Sequence, residues 1–120
     1  MEDMKPSAGI GQLQVFKAEF FKALAHPLRI RVLEILVNGE RSVHELQEIL
    51  GVDQPTVSQQ LAVLRAKNIV DARKEGTVVR YAVRDPALRD LLAVARRIFD
   101  RHLIGTQTML RELRRESRRR

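Results

Sequence analysis

Between Ser42 and Pro55 the chain carries two helix starts and one helix stop in close succession, and few folds accommodate that order. Ser42-Val43-His44-Glu45 has the form of a capping box, in which the Ser42 hydroxyl accepts from the Glu45 amide and the Glu45 carboxylate accepts from the Ser42 amide. Gly51 can take the left-handed turn that ends a helix. Asp53 is then an N-cap, with Pro55 in the first turn, where its missing amide hydrogen has no intrahelical role. The pattern predicts two helices across a tight turn, Val43, Leu46, Ile49 and Leu50 facing inward from one and Val57, Leu61 and Leu64 from the other. The remaining side of the second helix, Gln54, Thr56, Ser58, Gln59 and Gln60, bears hydrogen-bonding groups and no charge.

The flanks read as support for this pair. Leu13, Phe16, Phe20 and Leu24 recur at helical spacing and line one face of a first helix that stops near His26-Pro27. Leu28, Val32, Leu33, Leu36 and Val37 form the stripe of a second, with Arg29 and Arg31 turned away and Asn38-Gly39 as its stop. After Lys67-Asn68, Ile69 to Arg73 and Val78 to Val83 are β-rich and separated by a turn containing Gly76, a hairpin pattern. Asp85-Pro86 opens a last long helix whose stripe runs through Leu88, Leu91, Leu92, Ala95, Ile98, Phe99, His102 and Leu103. That stripe exceeds what one small domain covers, so a second copy is expected to pack on Leu91, Ala95, Ile98, Phe99 and His102, joined by Phe16 and Phe20 of the first helix. The expected organisation is a flexible arm over 1–11, a single domain over 12–104 and a basic tail over 105–120, in which Leu110 and Leu113 suggest some helix.

Charge points to a polyanionic partner. Twenty-two Lys and Arg against fifteen Asp and Glu leave a net +7, enough to bias a small protein towards nucleic acid. Residues 54–84 hold six basic groups against two acidic, and residues from 108 onward again six against two. Gln pairs bidentately with adenine and Ser or Thr serves several base edges, so the uncharged face, with Arg65 beyond it, suits the major groove of duplex DNA. Arg73, Lys74 and Arg80 of the hairpin suit phosphates or a minor groove. The competing reading is a module for protein or RNA contact, since such an architecture does not by itself fix function.

Other classes find less support. No cysteine is present, which excludes disulfides and thiolate metal sites. No apolar run approaches a membrane span and the first residues, with Glu2 and Asp3, lack the order of a signal peptide, so a cytoplasmic protein without a membrane partner is expected. A glycine-rich phosphate loop and a nucleophile with its base are both missing, so no enzyme is expected. His26, before a proline, suits a local backbone contact. His102 with Glu2 or Asp3 is the one candidate for a metal such as nickel, as borderline metals accept imidazole and carboxylate.

Ala23-Leu24-Ala25-His26-Pro27-Leu28-Arg29, Ser42-Val43-His44-Glu45-Leu46 and Thr56-Val57-Ser58-Gln59-Gln60-Leu61-Ala62-Val63-Leu64-Arg65, in that order, resemble the winged helix-turn-helix regulators of the ArsR/SmtB family over roughly residues 16–103. The resemblance implies a mainly α fold with a small β-hairpin in α-α-α-α-β-β-α order, and a homodimer formed through the first and last helices. It also implies repression at a near-palindromic operator, relieved by an effector that is often a metal ion. The family's metal sites do not carry over. Where metal-sensing members have a Cys-Val-Cys pattern this chain has Ser42 and His44, and the positions of the second site read Asp85, Ala87, Ile98 and Arg101. A small molecule, a metal at another site, a partner protein or no effector at all remain open.

Overall fold

His26-Pro27 divides the first two helices, α1 (Gln12–Leu24) and α2 (Pro27–Leu36), in the computed structural model, which describes residues 9–104 and 107–118. The His26 ring Nδ1 accepts from the Leu28 amide at 3.1 Å, the local backbone role its position suggested. A two-residue strand β1 (Arg41–Ser42) leads into α3 (Val43–Leu50), and α4 (Gln54–Ala66) follows the turn. Both halves of the capping box form, with Ser42 Oγ accepting from Glu45 N at 3.1 Å and Glu45 Oε1 accepting from Ser42 N at 2.9 Å. Gly51 takes φ 71°, a left-handed conformation that a side chain would strain, and the chain reverses there into the Asp53 cap.

How α4 ends decides where the hairpin begins. Asn68 has φ 61°, its amide donates to Arg65 O at 2.9 Å, and the next amide, Ile69, donates to Leu64 O at 2.9 Å. These two bonds form a Schellman motif, closed by the buried side chains of Leu64 and Ile69. The chain leaves directly into β2 (Val70–Glu75), which pairs antiparallel with β3 (Val78–Val83) across Gly76-Thr77. Lys74 and Glu75 thus belong to the strand, two residues beyond the end expected from sequence. β3 also pairs with β1, giving the sheet order β1-β3-β2.

Val32, Leu33 and Leu36 of α2, Leu46 of α3, Val57, Leu61 and Leu64 of α4 and Val70 of β2 are almost fully buried and form the core of the winged helix-turn-helix. Truncating one such leucine to alanine typically costs about 2–5 kcal/mol. The chain divides into two compact units, 1–85 with all the elements above and 86–120 with α5 (Ala87–Ile104) and α6 (Gln107–Arg118). The sixth helix lies in the segment expected as a basic tail, and the expected domain span 12–104 takes in the first unit and α5 of the second. Most of the expected arm, including Glu2 and Asp3, lies outside the described residues.

Candidate nucleic-acid interface

Asp53 sets the entry of α4. Its Oδ1 accepts from the Thr56 amide at 3.0 Å, and the Thr56 hydroxyl and amide together hold the Asp53 carboxyl below its usual range. Thr56 is therefore half-buried and engaged in the cap, while Gln54 and Gln59 stand exposed and Ser58 is half-buried at the edge of the same face. Arg65 is exposed at the far end of α4 and makes no ion pair among the described residues.

Gln60 requires a correction. Expected on the reading face, it is only 8% exposed, and its Oε1 accepts from Arg29 Nη1 at 3.0 Å. Arg29, expected to turn away from the core, also donates from Nε to the Ala23 carbonyl at 2.6 Å. One guanidinium thus ties the end of α1 and the middle of α4 to α2. The signal was present in the spacing, because 57, 60, 61 and 64 share one helical stripe, and a glutamine inside such a stripe needs a buried donor.

Two of the hairpin cations, Arg73 and Arg80, are engaged within the fold. Arg73 and Arg80 face each other across the strands, a like-charge pair that would repel on its own. Glu40, just before β1, accepts from Arg73 and, at 3.0 Å, from Arg80 Nε. Arg80 Nη2 reaches Glu45 Oε1 at 3.3 Å, so it also holds the capping box of α3. The Arg73 bond, outweighing the carboxylate's partial burial, keeps Glu40 below its usual range; the Ser42 amide does the same for Glu45. Arg80, expected along phosphates, is instead a half-buried strut that fixes the wing to the helix-turn-helix. Glu40 could not be assigned this part from sequence, because β1 is too short to show alternation. Arg84 pairs with Asp71 at 3.0 Å. Lys74 is the wing cation that is exposed and free of ion pairs among the described residues.

Residues 26–72 match the family profile described as bacterial regulatory protein, arsR family. An HTH-type transcriptional regulator of Mycobacterium tuberculosis is 47% identical over 103 residues, covering 85% of this chain and 90% of that protein. The chain belongs to the ArsR family of bacterial regulatory proteins. The crystal structure of the same M. tuberculosis protein superposes with a TM-score of 0.74, over 80% of this chain and 97% of that one. The biofilm growth-associated repressor of Xylella fastidiosa is 39% identical over 82 residues, 68% of this chain and 72% of that protein. A homodimeric winged helix-turn-helix DNA-binding domain from Mycobacterium bovis is 30% identical, with a TM-score of 0.70 over 86% of this chain and 94% of that one. Among ArsR-family landmarks, the helix-turn-helix pair is α3 and α4 and the wing is β2 and β3.

The expected dimer residues are exposed or half-buried in the chain. On α1, Phe16 is 71% exposed, Phe20 is half-buried, and Phe20 stacks edge-on with Phe21 at 5.4 Å, while Leu24 at the end of the same stripe is buried. On α5, Phe99 is 59% exposed, Ile98 and His102 are exposed, and Leu91 and Ala95 are half-buried. Leu13, Phe21 and Val94, not expected at the interface, are exposed as well. The described residues contain no group of three or more His, Asp or Glu placed to hold a metal ion.

Proposed function

We propose that the chain is a sequence-specific, DNA-binding transcriptional repressor that acts in the cytoplasm as a homodimer on a near-palindromic operator. The observation that carries this reading is the outer face of α4, where Gln54, Ser58 and Gln59 offer uncharged hydrogen-bonding groups on a helix of major-groove width. Lys74 on the wing and Arg65 at the helix end supply phosphate contacts beside it. The repressor named in X. fastidiosa and the DNA-binding domain named in M. bovis support the same assignment.

Dimerisation rests on the aromatic and aliphatic groups that α1 and α5 leave in water, patches of a kind that mark protein interfaces. The homodimer named in M. bovis supports it. Two copies would present their α4 faces roughly 34–36 Å apart, one turn of duplex. The reading assigns no metal to the switch, because Ser42, His44, Asp85, Ala87, Ile98 and Arg101 cannot reproduce the family's ligand sets. Anisotropy titration of the chain's own promoter region against random duplex tests the assignment at physiological salt. Preference for the promoter fragment is expected, and equal affinity for both would overturn it.

A further inference from the structure

The two units divide the charge very unequally. Residues 1–85 hold twelve Lys and Arg against eleven Asp and Glu, a net +1, whereas residues 86–120 hold ten arginines against four acids, a net +6. Five of the first unit's cations, Arg31, Lys67, Arg73, Arg80 and Arg84, are also engaged internally, on Glu34, Glu19, Glu40, Glu45 and Asp71. A helix-turn-helix that must hold a polyanion is thus nearly neutral, and the positive charge lies elsewhere.

α5 carries four of these arginines against two acids, α6 four against two, and Arg119 and Arg120 follow α6; what sets α6 apart is how its arginines are arranged. At 3.6 residues per turn, positions 111, 114, 115 and 118, all arginine, fall within an arc of about 100° and along about 10 Å of helix. Glu112 and Glu116 occupy the neighbouring sector, and Leu110 and Leu113 lie on the far side. Arg111, Arg114 and Arg115 are exposed and make no ion pair among the described residues. A mixed-charge surface helix would scatter these groups. Here they form one cationic stripe, and its length matches the axial rise of about three phosphates on one DNA strand.

We propose that the arginine face of α6 binds the phosphate backbone of duplex DNA and adds a sequence-independent attraction, leaving base discrimination to α4. This rests on the DNA-binding reading above. An anionic membrane is the less favoured occupant, since a helix lying in a bilayer surface buries aromatic and aliphatic groups along its length, and α6 carries three apolar residues, Met109, Leu110 and Leu113, within little more than one turn and none of them aromatic.

The test uses the full chain, the R111Q/R114Q/R115Q variant and the charge-keeping R111K/R114K/R115K variant, each titrated from 50 to 200 mM salt on random and on promoter duplex. Every phosphate that is no longer neutralised flattens the log–log salt slope by about 0.9, so the glutamine variant should lose about 2.7 if one protomer's stripe engages and about 5.4 if both do. The smaller figure corresponds to a salt-induced weakening reduced by about 40-fold over that range. The lysine variant should keep the native slope, and the ratio of promoter to random affinity should survive in both. An unchanged slope in the glutamine variant would overturn the proposal, as would a lysine variant that behaves like the glutamine one. Binding to vesicles of anionic lipid with no change in the DNA slope would reassign the stripe to membranes. If the native chain shows no promoter preference the repressor reading fails, while the slope on random duplex still decides the role of α6.

Discussion

Gln59 and Gln60 are neighbours of the same type with opposite duties, which makes them a direct test of the inner and outer faces of α4. Gln59 is exposed, and its change to Ala should relax operator preference by roughly 1–3 kcal/mol for each base interaction removed, with little effect on melting. Gln60→Ala leaves the Arg29 guanidinium short of an acceptor at a part-buried site and should cost about 1–3 kcal/mol of stability with operator preference retained, as read by urea unfolding and anisotropy. Carboxylates add a pH signature. Glu40, through Arg73, Glu45, through the Ser42 amide, and Asp53, through Thr56, all ionise more readily in the folded chain. A depressed folded value means that their contribution is complete above the ordinary carboxylate value of 4.5 for Glu and is lost as pH falls through the folded value. The melting temperature attributable to them should therefore hold from pH 7 to about 5 and decline below that. A decline beginning near pH 6 would assign the loss to other groups.

At the level of elements, the junction of α4 with β2 sets the wing's direction, and it depends on Asn68 at φ 61°. Asn68→Gly should be neutral or stabilising. Asn68→Val forces a β-branched side chain into the left-handed region and should cost at least about 1–2 kcal/mol, measurable by chemical denaturation. The helices were legible in the sequence because each carries its own punctuation, His26-Pro27, the Ser42 capping box, Gly51 and the Asp53 cap. β1 was not, since two residues show no period, and its partner β3 lies far along the chain. The same non-local pairing explains why Arg80 departs from expectation: its role is set by Glu40 and Glu45, some 35 to 40 residues away. Arg65 was legible as an exposed cation because helix periodicity alone places it, and Lys74 because it sits next to the Gly76 turn at the tip of the expected hairpin. The α6 helix was partly legible through Leu110 and Leu113, while the sectoring of its arginines follows only once the segment is known to be helical throughout.

For the molecule as a whole, the exposed aromatics make assembly the next variable. Phe16→Glu or Phe99→Glu should convert a dimer to monomer in sedimentation velocity and weaken promoter binding far more than it alters the fold, because one protomer then engages one half-site. A variant that stays dimeric would move the interface away from that helix. The Glu40 carboxylate, bonded to both Arg73 and Arg80, has an effect that reaches beyond its neighbourhood. Exchanging Glu40 for Gln would leave Arg73 to Glu75 and Arg80 to Glu45 and Glu75, loosening the strut and adding one positive charge at the root of the wing, so such a variant should unfold at lower urea and bind random duplex more tightly. An acid at that position acts as a brake on indiscriminate sticking, and a little of the protein's robustness is bound up in keeping its search selective.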